Sequence, residues 1–254
     1  MKDLYIDLLK STLLDNMHST KLCTNHIGKI REATNKEIEQ GTVWPINAHT
    51  MLGTLRMDNL QRCIEYCLEN NVAGDLLEAG VWRGGACIFM NGILKAYGIE
   101  DRKVYVVDSF EGLPIPEEER YPIDKGDRHH SFDFLKVSKK EVKKNFRLYN
   151  LLTDNVIFVE GFFEKTLPNL DIESLAVLRV DGDMYSSTIQ VLESLYDKVS
   201  NNGFIILDDF PEVTHGAYRA KKAALDFRLK RGIDSPIIRI DECSAYWQKE
   251  ENDN

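Results

Sequence analysis

A chain of 254 residues, 43% of them hydrophobic, is long enough for one α/β domain with additions and apolar enough to bury a core. Its formal net charge of −9 argues against nucleic acid or an anionic membrane as the main partner. The five cysteines are odd in number and lack zinc-type pairing, and Cys63 and Cys67 share one helical face. They read as buried free thiols in a reducing compartment, so a cytoplasmic protein is expected. Charges at Lys2, Asp3, Asp7 and Lys10 break any signal-peptide core, and no apolar stretch has the length of a membrane span.

In chain order, Leu4, Ile6, Leu8, Leu9, Leu13 and Leu14 make 4–14 an amphipathic helix. The polar segment 18–41 reads as helix plus loop, stopped by Trp44-Pro45. Residues 50–70 are expected as a helix carrying Leu52, Leu55, Leu60, Ile64 and Leu68 on one side, ended by Asn70-Asn71. Residues 1–70 therefore form an N-terminal helical extension to a main domain spanning 71–254. There, apolar runs at 76–79, 104–107, 156–159, 175–180, 204–207, 237–240 and 245–247 predict seven strands. Helical patterns at 86–96, 138–149, 188–199 and 217–230 alternate with them, which implies a parallel sheet covered on both faces. Only four residues separate the last two runs, so those strands should close the sheet as an antiparallel hairpin. This is the S-adenosylmethionine (SAM) methyltransferase variant of the doubly wound α/β fold. Residues 111–134 are long, charged and broken by Pro114, Pro116 and Pro122, and read as a substrate lid.

The candidate chemistry begins at 75–86, a strand, a glycine turn and a helix start. The spacing departs from G-x-G-x-x-G, and Trp82 and Arg83 are bulky where a pyrophosphate would need room. A cofactor without that group, SAM, suits the turn better. Ligands of such sheets sit beyond the carboxyl ends of the strands. Glu78 ends the first strand; Asp108 ends the second, where an acid can bind ribose hydroxyls. Asp181 and Asp183 end the fourth, and Asp208 and Asp209 end its neighbour, the fifth. Four crowded carboxylates call for protonation or a cation, and an all-oxygen set selects Mg²⁺, with Ca²⁺ or Mn²⁺ as alternatives. Ser186, Ser187 and Thr188 read as helix caps, His129 and His130 as lid surface, and His215 as a minor substrate-contact candidate.

These residues resemble the macrocin O-methyltransferase family of SAM- and magnesium-dependent enzymes that methylate sugar hydroxyls of natural products. The matching segments are WPINAHTMLG from Trp44, EAGVWRGGACI from Glu78, VDSFEGLP from Val107, VEGFFEKTLP from Val159, LRVDGDMYSST from Leu178 and ILDDF from Ile206. The resemblance covers nearly the whole chain. It implies that Glu78, Gly80, Val81, Gly84 and Gly85, with Asp108 and Ser109, hold SAM, that Thr50 and Met51 close over its methionine end, and that Gly161 and Phe162 complete the cofactor set. It implies Asp181, Asp208 and Asp209 as metal ligands, with Asp181 or Asp183 as the catalytic base. The expected reaction is Mg²⁺-dependent methyl transfer to a hydroxyl of a small sugar-containing substrate, with no nucleic acid or membrane partner and a homodimer as the assembly. Alternatives are a catechol-type O-methyltransferase, a dinucleotide oxidoreductase, disfavoured by the turn and hairpin, and a non-catalytic scaffold, disfavoured by the crowded acids.

Overall fold

The computed structural model describes residues 1–211, 218–251 and 253, so His215 lies outside the described residues. Helix α1 (Lys2–Leu13) buries Ile6, Leu9 and Leu13 at helical spacing, as the sequence predicts. The next stretch differs from its expectation. Strands β1 (Leu22–Thr24), β2 (Arg31–Glu32) and β3 (Trp44–Pro45) form a small antiparallel sheet in the order β2-β1-β3. Strands of two or three residues are too short to leave a period-2 pattern, so composition alone read them as loop. Only α2 (Asn35–Gln40) is helical there, started by a capping box in which Thr34 and Glu37 bond each other's backbone N–H. Helix α3 (Thr54–Glu69) follows, burying Met57, Leu60, Cys63, Ile64 and Cys67. Its inner face is rotated from the predicted one, with Leu55 and Leu68 only partly covered.

The α/β unit then runs β4 (Asp75–Ala79), α4 (Gly85–Ala96), β5 (Val104–Asp108), α5 (Lys139–Leu148), β6 (Val156–Glu160), α6 (Phe163–Thr166), β7 (Leu175–Val180), α7 (Tyr185–Leu195), β8 (Val199–Leu207), α8 (Tyr218–Arg231), β9 (Ile238–Arg239) and β10 (Ala245–Gln248). The seven strands lie in the order β6-β5-β4-β7-β8-β10-β9. The first five are parallel, while β10 runs antiparallel to both β8 and β9. The expected closing hairpin is present.

One apolar core joins the N-terminal extension to the sheet, with Ile6, Leu9 and Met57 in the same cluster as Phe89, Val104 and Val106. Gly92 of α4 faces α1, where a Cβ would stand 2.2 Å from a Leu9 methyl. The opposite face of the sheet packs α7 and α8 through Leu178, Ile205, Leu192, Ala224 and Phe227. Among the described residues no helix is long and apolar enough to cross a membrane.

Candidate active site

Register sets the site. Ala79 pairs with Val107 on one side and Val180 on the other, and Val180 pairs with Leu207. The residues just beyond, Gly80, Asp108, Asp181 and Asp208, therefore share one edge of the sheet. Gly80 takes φ +88°, and a Cβ there would lie 1.8 Å from the Asp181 carbonyl oxygen, so glycine is required.

A recess of about 270 Å³ opens over this edge. Met51, Gly80, Asp108, Ser109, Phe162, Asp181 and Asp183, all proposed from sequence, line it together with Trp82, residues 112–115 and Glu117. The partly buried Asp108 carboxylate accepts the Val81 N–H at 2.8 Å and the Phe110 N–H at 2.7 Å. Burial raises its pKa against the pull of those donors.

The other proposed cofactor residues stand outside the lining. Val81 acts by orienting Asp108. Gly85 lets residues 49–50 pack on the start of α4, since its Cβ would stand 2.3 Å from the His49 oxygen and 2.7 Å from the Thr50 Cβ. Thr50 itself is buried and accepts the Leu52 N–H. Gly84, at φ +83°, lies against Val142, and Gly161 against Thr166. Glu78 is buried between Arg179 at 2.5 Å and the Cys87 thiol at 3.0 Å.

Three acids converge at the same sheet edge. Carboxylate oxygens of Asp181, Asp183 and Asp209 lie within 4.8 Å of one another. Asp183 takes a left-handed backbone, φ 56°, and its N–H donates to Asp209 at 3.1 Å. Being largely enclosed holds the pKa of Asp181 well above the carboxylate range, and the charge of Asp208 adds to this. Enclosure and the charge of Asp183 do the same for Asp209. Yet the Asp181 side chain is 29% exposed, so the cluster is open on one side. Three partly reachable carboxylates that repel one another are a donor set a hard divalent cation fits.

Asp208 is placed differently from the three. Its two oxygens accept from Arg179 and, at 2.7 Å, from Arg56. Burial alone would raise its pKa, but these two guanidinium groups bring it below the usual value. Arg179 also reaches Asp181 at 2.9 Å, and Arg56 reaches Asp241 at 2.7 Å and the Gln40 carbonyl at 3.1 Å. The two arginines thus tie Glu78, Asp181, Asp208 and Asp241 into one buried network.

The sequence reading passed over these arginines. Arg179 left a signal, being the single charge in the apolar run LAVLRV, while Arg56 looked like any helix-surface arginine. The expected caps at Ser186, Ser187 and Thr188 are also corrected, because these residues sit inside the first turn of α7. Asp124 from the lid caps that helix instead, accepting the Tyr185 N–H at 2.8 Å and the Ser186 N–H at 2.9 Å. The segment 111–134, expected as a lid, is held by several contacts. It contains 3₁₀ turns at Pro122–Asp124, His129–Ser131 and Asp133–Leu135, and Trp82 Nε1 donates to the Phe134 carbonyl at 3.0 Å. Arg83 stacks on Trp82 and donates to the Ile46 and Ala48 carbonyls, which explains why so bulky a pair occupies the glycine turn.

Sheet order, terminal hairpin and an acid-edged recess together define a SAM-dependent methyltransferase fold. The profile of the Macrocin-O-methyltransferase (TylF) family matches residues 2–249, and the chain belongs to that family of O-methyltransferases. It is 42% identical over 251 residues to demethyldecarbamoylnovobiocin O-methyltransferase of Streptomyces niveus, covering 97% of this chain and 93% of that one. It is 39% identical over 248 residues to 8-demethyl-8-(2,3-dimethoxy-alpha-L-rhamnosyl)-tetracenomycin-C 4'-O-methyltransferase of Streptomyces olivaceus, covering 97% and 93%. Among solved structures, that of the O-methyltransferase NovP superposes with a TM-score of 0.91 at 40% identity, over 99% of this chain and 100% of the other.

Proposed function

We propose that the protein transfers a methyl group from SAM to a hydroxyl of a sugar-containing small molecule, assisted by Mg²⁺ at the acid cluster. The observation that carries this reading is the recess lined by Asp108, Asp181 and Asp183, with the Asp209 carboxylate converging on the last two. The sugar acceptor is supported by the rhamnosyl substrate in the name of the Streptomyces olivaceus relative.

Asp108 is suited to the ribose hydroxyls and Met51 and Phe162 to the apolar parts of SAM, whose sulfonium supplies an electrophilic methyl group. Asp181 and Asp209 would hold Mg²⁺. Asp208 keeps a lone pair on each oxygen and is suited to be the third ligand, which leaves Asp183 as base; if Asp183 takes the place of Asp181 on the metal, Asp181 is the base instead. Bound Mg²⁺ would supply Lewis acidity, making an alcohol acidic enough to lose its proton. The base would take that proton as the hydroxyl oxygen bonds the methyl carbon and the S–C bond breaks, leaving S-adenosylhomocysteine. Alignment of the two substrates by the recess contributes about 7–11 kcal/mol where it is fully achieved.

Calorimetric titration with S-adenosylhomocysteine (SAH), with Mg²⁺ and with chelator, tests the reading when paired with methylation of a glycoside panel. The expected result is SAH binding in both conditions and methylation only with Mg²⁺. Metal-independent methylation would remove the Mg²⁺ role, and absence of SAH binding would remove the whole proposal. The reading also includes a homodimer, supported by the exposed apolar Leu4 and Leu8 on α1, and a cytoplasmic site, supported by its free and mostly buried cysteines.

A further inference from the structure

A second, larger recess of about 840 Å³ lies between the small N-terminal sheet, the lid and α8. His26, Trp44, His129, Phe132 and Arg219 line it. Phe132 is the centre of its aromatic wall, with ring centroids 5.7 Å from Trp44, 5.9 Å from His26 and 5.6 Å from His129.

The histidine on this wall is oriented by a buried acid. His129 Nδ1 lies 2.9 and 3.0 Å from the two oxygens of Asp127, and the His129 backbone N–H donates to the same carboxylate at 2.8 Å. Arg219 pairs with Asp127 at 3.3 Å and donates to the Ile123 carbonyl at 3.0 Å, which fixes this part of the lid to α8. With Nδ1 occupied, Nε2 is the nitrogen left for a ligand. The Asp127 N–H donates to the Asp124 carbonyl at 3.0 Å, and Asp124 accepts the N–H groups of Tyr185 and Ser186, which follow Asp183 and Met184 in the chain, so this wall of the recess is tied to the backbone beside the acid cluster.

Resting on the methyl-transfer reading, we infer that this recess binds the aglycone of an aryl glycoside, with Phe132 as its apolar wall and His129 Nε2 hydrogen-bonding an acceptor oxygen beside Asp183. A flat ring stacks on an aromatic wall, whereas a saturated methyl group covers little of it. An imidazole held by a buried carboxylate keeps one orientation, so its free nitrogen can select where the sugar sits.

The test titrates 4-nitrophenyl α-L-rhamnoside and methyl α-L-rhamnoside onto the SAH-loaded protein in Mg²⁺. The aryl glycoside should bind about tenfold more tightly than the methyl glycoside, a ratio that stacking on one aromatic ring can supply. Phe132→Ala should erase the preference. His129→Ala should weaken both glycosides several-fold, and His129→Gln should recover part of the loss. SAH affinity, read in the same calorimeter, should stay unchanged in all three variants and reports that each is folded. Equal affinity for the two glycosides, binding of neither, or wild-type affinity in both alanine variants would overturn the inference. Failure of SAH to bind the wild-type protein would instead remove the methyltransferase reading on which it rests.

Discussion

Arg179 and Arg56 show how much a single buried cation decides at this site. Arg179 is 1% exposed and faces Glu78, Asp181 and Asp208, so replacing it leaves three carboxylates without their shared partner. Arg179→Met should destabilise the fold by about 3–5 kcal/mol, the cost of stripping one partner from a buried pair. Urea denaturation measures this, and a loss below about 1 kcal/mol would show that the network is not a structural pair in the sense argued. A second residue-scale prediction concerns pH. Its bond to Asp127 raises the pKa of His129 against burial; burial opposes, but His129 and Arg219 lower that of Asp127. A raised histidine contributes stability that is full below its ordinary value of about 6.5 and lost as pH rises through the folded value. A lowered aspartate contributes stability that is full above its ordinary value of about 3.9 and lost as pH falls. The pair should therefore stabilise most between those limits. The difference in unfolding free energy between wild type and Asp127→Asn should be widest at mildly acidic pH and shrink on the alkaline side. A difference that grows with pH would contradict the assignment.

At the scale of elements, segment 111–134 is joined to α7 because its Asp124 supplies the N-cap of that helix. That helix follows directly on the strained turn at Asp183, so a loosened first turn would reach the acid cluster. Asp124→Ala should cost about 1–2 kcal/mol of stability, as lost caps do. It should also lower kcat more than it raises the KM for SAM, since the recess walls at Gly80 and Asp108 are independent of it. A variant with normal kcat would show that the cap serves stability alone. The small N-terminal sheet illustrates why some elements escaped the sequence. Its strands have two or three residues, shorter than the window in which alternation can be seen, whereas β7 announced itself with six consecutive residues that are all buried.

Across the whole molecule, the N-terminal extension and the α/β unit share one core and one buried arginine. Ile6, Leu9 and Met57 pack with Phe89 and Val104, and Arg56 on α3 bonds Asp208 at the sheet edge and Asp241 beside the terminal hairpin. Residues 1–70 should therefore unfold together with the rest. Urea transitions followed by tryptophan fluorescence and by far-ultraviolet circular dichroism should coincide; two separated transitions would show an extension that folds independently.

The sequence by itself determined the alternation of strands and helices, the closing hairpin, the glycine turn and the acids at the strand ends. Each of these is a local pattern: burial on both faces writes continuous apolar runs, and a backbone forced to positive φ beside another strand writes glycine. Tertiary structure alone decided which acids meet. Asp208 and Asp209 are adjacent in the chain, yet one turns to two arginines from distant elements and the other to Asp181 and Asp183. It also decided that Asp124 caps a helix 61 residues away and that His129, read as lid surface, stands on an aromatic wall and is held by Asp127. Side-chain partners across such separations are fixed by strand register and loop path, and no period in the sequence encodes them.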